Sequence, residues 1–113
     1  MNKIFKNKSI LVTGAGGTVG SELIRQLLTN DIYSPDEVVG IDNNENSIFF
    51  LDQAYLDFEN ARFYVSDIKS LEELKSKFQG IDIVFHTAAL KHVILSERSP
   101  EQFIETNVVG IQN

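Results

Sequence analysis

At 113 residues the chain has the size of one ordinary domain, and its 16 acidic against 10 scattered basic side chains give a net charge of −6. That balance argues against a nucleic-acid backbone as partner, because such binding needs a clustered positive face. Zero cysteines exclude disulfides and thiolate metal sites and suit a reducing cytoplasm; no apolar run approaches the ~20 residues of a membrane helix, and no signal peptide precedes Ile10.

Residues Met1 to Lys8 are polar apart from Ile4 and Phe5 and lead into Ile10-Leu11-Val12, an apolar run short enough to be a buried strand. A glycine turn follows, then Val19, Leu23 and Leu27 at helical spacing with Ile24 and Leu28 beside them. Gly14, Gly17 and Gly20 recur every three residues after Thr13; the G-x-G-x-x-G form would need glycine where Val19 stands. A bare glycine turn is more often structural than functional. Between a strand and a helix it becomes the context for phosphate binding, with separate roles in the tight turn, in backbone approach to phosphate and in helix packing. The N-terminus of the helix, at Thr18, Val19 and Gly20, adds unpaired N–H groups and the positive end of a dipole.

The first helix should end near Asn30-Asp31, and Ser34-Pro35-Asp36 reads as a loop before a second strand, Glu37 to Asp42. Asp42 lies 22 residues after Gly20, at the carboxyl end of that strand. There a dinucleotide fold sets the acid that holds the adenosine ribose. Such a carboxylate accepts both ribose hydroxyls and repels the 2′-phosphate of NADP, and the next arginine is only Arg62, so NAD is favoured over NADP. The plainer alternative is a solvated turn aspartate. Asn43 to Asn46 form a polar turn, and Ser47 to Asp57 read as a helix burying Ile48, Leu51, Leu56 and its aromatics.

Ala61 to Asp67 read as a third strand. Ser70-Leu-Glu-Glu73 is a capping box opening a helix of Leu71, Leu74 and Phe78 that ends at Gly80. Ile81 to Ala88 is the fourth strand, and Ala89 to Arg98 a loop or short helix. Ser99-Pro-Glu-Gln102 is a second capping box, opening a final helix through Phe103, Ile104, Val108 and Ile111. Strands alternating with helices imply the α/β class: the N-terminal portion of a Rossmann-type doubly wound parallel sheet, one NAD(P)-binding domain over residues 1–113. Four parallel strands would leave an apolar open edge, so the chain is expected to be part of a longer protein, truncated before its catalytic half. A homo-oligomer fits the whole protein, whereas self-association of this chain alone could arise from that edge.

These residues resemble the extended short-chain dehydrogenase/reductase family, and within it the polysaccharide-biosynthesis nucleotide-sugar 4,6-dehydratases of the UDP-N-acetylglucosamine type. Thr13-Gly-Ala-Gly-Gly-Thr-Val-Gly-Ser-Glu-Leu23 matches their opening fingerprint, and Ser66-Asp67-Ile68 resembles their adenine-contacting turn. His86-Thr-Ala-Ala-Leu-Lys-His-Val93 is the more discriminating match, and Glu105-Thr-Asn-Val-Val-Gly110 resembles the Asn-Val-x-Gly helix. The resemblance implies a nucleotide-sugar substrate and cofactor contacts from Gly14, Gly17, Thr18, Val19, Gly20, Asp42, Asn43, Asp67, Ile68, Ala88, Ala89 and Asn107. Lys91 would face the substrate.

Several of these have plainer alternatives. Asp67 could equally cap a helix, Ala88 and Ala89 could serve tight strand packing, Lys91 could be merely solvated, and Asn107 could be an exposed helix asparagine. The family's Tyr-x-x-x-Lys pair is missing: four residues after Tyr33, Tyr55 and Tyr64 stand Glu37, Glu59 and Ile68. No catalytic residue is therefore assigned. His86 and His92 lack a convincing third ligand, so no metal site is expected. The rival readings are a nucleotide-sugar 4-epimerase of the same superfamily and a non-catalytic NAD(P)-sensing module.

Overall fold

The computed structural model describes residues 3–67, 71–87, 91–94 and 104–107. Strand β1 (Ser9–Thr13) is followed by helix α1 (Thr18–Thr29), β2 (Glu37–Asp42), α2 (Glu45–Ala54), β3 (Ala61–Val65), α3 (Leu71–Lys77) and β4 (Ile83–His86). Two short strands follow, β5 (Lys91–Ile94) and β6 (Ile104–Asn107), and the sheet order is β3-β2-β1-β4-β5-β6. The first four strands of that order are mutually parallel, the arrangement expected of strand–helix–strand units.

The period-2 alternation of β1 divides the core. Ile10 and Val12 join Ile24 and Leu27 of α1 and Ile48 and Leu51 of α2 on one face, whereas Leu11 joins Leu74 of α3 with Val39, Ile41 and Val84 on the other. Helices therefore cover both faces, which is why β1 reads as a continuous apolar run rather than an alternating one. The three central residues of β1 are fully buried, each burial worth about 1.5–3 kcal/mol. This is the Rossmann-type α/β fold, with β1 at the centre and the glycine turn at its carboxyl end.

Several expectations need correction. The second helix starts at Glu45, not Ser47, because the Asn44 side chain caps it by accepting from the Ser47 amide. Of the aromatics expected inside, Tyr55 packs half-buried against the core, whereas Phe49 and Phe50, with Leu56, are 60–69% exposed. From α2 itself only Ile48 and Leu51, one turn apart, are buried, so the surplus is left outward. The third and fourth strands are shorter than expected, ending at Val65 and His86.

The segment after β4 departs most. Within the expected loop or short helix lies β5, antiparallel to β4, and within the expected final helix lies β6, antiparallel to β5. Asn107 thus ends a strand instead of sitting mid-helix. The free edge of β4 offers a row of backbone donors and acceptors, and Val93-Ile94 and Ile104 to Thr106 are rich enough in β-branched residues to pair with it. Local capping signals at Ser99 to Gln102 are worth about 1 kcal/mol and do not decide against a ladder. That box lies outside the described residues, as do Ser70 and the ends of the expected helix.

Candidate functional site

The carboxyl rim of the sheet carries several of the residues singled out by the sequence. One register row crosses it through Tyr64, Ile41, Thr13, His86, Lys91 and Asn107, so the backbones of Lys91 and Asn107 share the rim with the glycine turn. Asp42 stands one residue beyond this row on β2, beside Val65.

The turn itself is built by the chain's own hydrogen bonds. Gly14 adopts φ 66°, a left-handed conformation that a side chain would strain. The Ala15 amide donates to the Ile41 carbonyl (3.0 Å) and the Gly17 amide to the Gly14 carbonyl (3.0 Å). Thr87, buried at the end of β4, donates its hydroxyl to the carbonyls of Thr13 (2.8 Å) and Gly14 (3.3 Å). Thr13 Oγ1 lies 3.1 Å from His86 Nδ1. These contacts clamp the turn between β1 and β4.

The glycines divide their work. A Cβ on Gly20 would sit 2.2 Å from the Gly14 carbonyl oxygen, so α1 can close on the turn only there. A Cβ on Gly17 would meet nothing nearer than 3.4 Å. The protein does not need glycine at position 17 for its own packing. Gly17 is exposed, it is the N-cap of α1, and it provides no side-chain cap. Beyond it the amides of Thr18, Val19 and Gly20 begin the helix without intrahelical partners, which makes this end fit to receive an anion.

Asp42 is not a free turn residue. Its carboxylate accepts from the Gly16 amide at 2.8 Å and from the Asn44 amide at 2.9 Å, one bond on each oxygen. Two charge-assisted bonds fix the plane of the group while leaving acceptor sites for two further donors. Asn43 is exposed next to it. Asp67 is exposed two residues past β3, and Ile68, Ala88 and Ala89 lie outside the described residues. Gly16, Ser47 and Thr87 were not picked out from sequence. A glycine outside the three-residue spacing and a threonine beyond a strand carry no signal until the turn is folded.

A groove of about 410 Å³ opens between α1 and α2 from Gly16 and Ser47 toward Arg25, Phe50 and Tyr55. On its wall Glu22 accepts from Arg25 Nη2 (2.6 Å) and Nε (2.9 Å) and from Gln26 (2.9 Å). These bonds, that of Arg25 first, lower its pKa to about 2. Burial pushes the Tyr55 hydroxyl up. Among the described residues no group of three or more His, Asp or Glu side chains could hold a metal ion, and no helix is long and apolar enough to cross a membrane.

The parallel sheet with its glycine turn, open helix N-terminus and rim carboxylate defines the Rossmann-type class of α/β fold. Residues 10–113 match the model of the polysaccharide biosynthesis protein family, and the chain belongs to that family. It is 38% identical to an uncharacterized membrane protein of Methanocaldococcus jannaschii over all of this chain and 33% of that protein. It is 33% identical to an inverting UDP-N-acetylglucosamine 4,6-dehydratase of Campylobacter jejuni, over 97% of this chain and 32% of the enzyme. It is also 30% identical to a UDP-glucose 4-epimerase of Rickettsia bellii, with the same coverages of 97% and 32%. Among solved structures, Pen from Bacillus thuringiensis superposes with a TM-score of 0.61 at 30% identity, covering 73% of this chain and 24% of Pen. The chain spans about one third of the length of these curated relatives.

Proposed function

We propose that residues 1–113 form the dinucleotide-binding domain of a nucleotide-sugar 4,6-dehydratase of surface polysaccharide biosynthesis, with NAD as its cofactor and a UDP-N-acetylglucosamine-type substrate. The observation that carries this reading is the Asp42 carboxylate, held by two amides at the end of β2 beside the open N-terminus of α1. In this reading the amides of Thr18, Val19 and Gly20 receive the diphosphate, and Gly17 lets the backbone approach it. Asp42 and Asn43 meet the adenosine ribose. Asp67 and Ile68 flank the adenine, Ala88 and Ala89 leave room for the nicotinamide ribose, Asn107 adds a cofactor contact, and Lys91 serves the substrate side of the same rim.

The dinucleotide, when bound, supplies the hydride chemistry of an internal redox dehydration. This chain's share is to orient it and to discriminate against a 2′-phosphate, which the fixed negative charge of Asp42 repels. The chain has no tyrosine followed four residues later by lysine, and the reading accordingly assigns it binding without turnover; conversion of UDP-N-acetylglucosamine by these residues alone would overturn that assignment. The 30% identity to a 4-epimerase favours a second reading, in which the same cofactor domain serves an epimerase. Thermal unfolding in the presence of NAD, NADP and UDP-N-acetylglucosamine tests the cofactor assignment. A dinucleotide at 100 times its dissociation constant should stabilise the fold by about 2.7 kcal/mol, NAD at lower concentration than NADP. An unmoved transition with both dinucleotides would contradict it.

A further inference from the structure

The glycine at position 16 belongs to none of the three evenly spaced positions, yet the fold depends on its lack of a side chain. A Cβ there would sit 2.3 Å from Ser47 Cβ, 2.7 Å from Ser47 Oγ and 3.0 Å from Asp42 Oδ2. Ser47 lies in the first turn of α2, with its amide bonded to the Asn44 cap at 3.0 Å. Its Cβ is attached directly to the helix backbone, so it cannot swing aside as the end of a long side chain would. Here the glycine turn comes close to the first turn of α2. Between them lies the Asp42 carboxylate, bonded to the Gly16 amide on one oxygen and to the Asn44 amide, at the foot of α2, on the other.

We infer that Gly16 and Ser47 are positioning residues for cofactor specificity: their close contact holds the turn and α2 at the one separation at which both Asp42 bonds form. The inference rests on the dinucleotide reading above and goes beyond it, because neither residue need touch the ligand. The physical argument is one of a clamp. A carboxylate held from both sides keeps its remaining acceptor sites aimed at the adenosine ribose and its charge where a 2′-phosphate would have to sit. Released on one side, it rotates toward water, and the ribose bonds and the repulsion of phosphate weaken together. Separation of α2 from the turn should therefore lower affinity for NAD while sparing or raising affinity for NADP, a change of ratio that general destabilisation does not produce.

The test uses calorimetric titration of the full 113-residue chain with NAD and with NADP, on the wild type, G16A, S47A, G16A/S47G and G16A/S47A. Loss of a charge-assisted bond predicts a fall of about tenfold in the NAD-to-NADP affinity ratio for G16A. Removing the Ser47 Cβ in G16A/S47G makes room for the new methyl group and should restore most of the ratio. G16A/S47A keeps that Cβ and should not. S47A alone, which retains the contact, should bind as the wild type does. The inference is overturned if G16A binds both dinucleotides with an unchanged ratio, or if S47A rescues as well as S47G. The Gly16 amide resonance, in chains that keep Gly16, gives a readout independent of any cofactor: D42A, which removes both acceptor oxygens, should shift it and speed its hydrogen exchange. A wild type that binds neither dinucleotide while D42A still releases that amide would defeat the cofactor reading and leave the clamp standing; an amide indifferent to D42A would defeat the clamp itself.

Discussion

The division of labour between Gly20 and Gly17 can be tested by the smallest side chain there is. Gly20 lies inside α1, where helix propensity alone would favour alanine by about 1 kcal/mol. The fold opposes it: the added methyl would stand 2.2 Å from the Gly14 oxygen and 2.9 Å from the Gly14 carbonyl carbon, both backbone, and 3.0 Å from Thr87 Oγ1. The two nearest atoms are backbone and Thr87 Oγ1 is tied by its own hydrogen bonds, so α1 must lift off the turn. Overpacking of this kind costs about 1–3 kcal/mol, and loosening the Thr87 hydrogen bonds to Thr13 and Gly14 adds about 1 kcal/mol more. The net expectation for G20A is a loss of about 2 kcal/mol. For G17A the methyl meets only the Gly14 oxygen at 3.4 Å, and φ is −78°. The cost should be under about 1 kcal/mol, that of a poorer N-cap. Urea unfolding monitored by circular dichroism separates the two, since 2 kcal/mol moves the midpoint by about 1–2 M. G17A should instead lose affinity for NAD. A midpoint for G20A equal to that of the wild type, or one for G17A lowered as far, would refute the assignment of packing to the first and ligand approach to the second.

Replacing Thr87 by valine keeps its shape but removes the donor to two carbonyls, and should cost about 1–2 kcal/mol in urea unfolding. Asp42→Arg should shift dinucleotide preference toward NADP in competitive titration, with an unchanged preference counting against the role of Asp42. The pH dependence of folding should show Glu22. Its folded pKa is depressed from 4.5 to about 2, so its contribution is present above pH 4.5 and lost as pH falls through about 2. Glu22→Gln should flatten the acid limb of the stability profile in that window. Because this carboxylate is exposed, the effect should also shrink in high salt.

The strand–turn–helix opening and its two successors were legible because each element carries a signal that acts locally. β1 is buried on both faces and reads as unbroken apolar residues, α1 keeps its helical spacing, and Asp42 falls at a fixed distance along the chain. The site's inner supports were not legible. Gly16 matters only once α2 has been brought against the turn, and Thr87 only once β4 lies beside β1, both consequences of pairing across 26 to 74 residues. The exposed Phe49 and Phe50 misled for the converse reason, since apolar composition suggests burial without saying which face of a short helix meets the sheet. After β4, a capping box suggested helix, while pairing along an open sheet edge, which no local pattern records, produced strands.

Titration of the 113-residue chain with NAD in an isothermal calorimeter bears most directly on the whole account. A single saturable site, tighter for NAD than for NADP and abolished for NAD by Asp42→Arg, is the expected result. Heats no greater than dilution for both dinucleotides, or an affinity for NAD that survives loss of the Asp42 carboxylate, would contradict it.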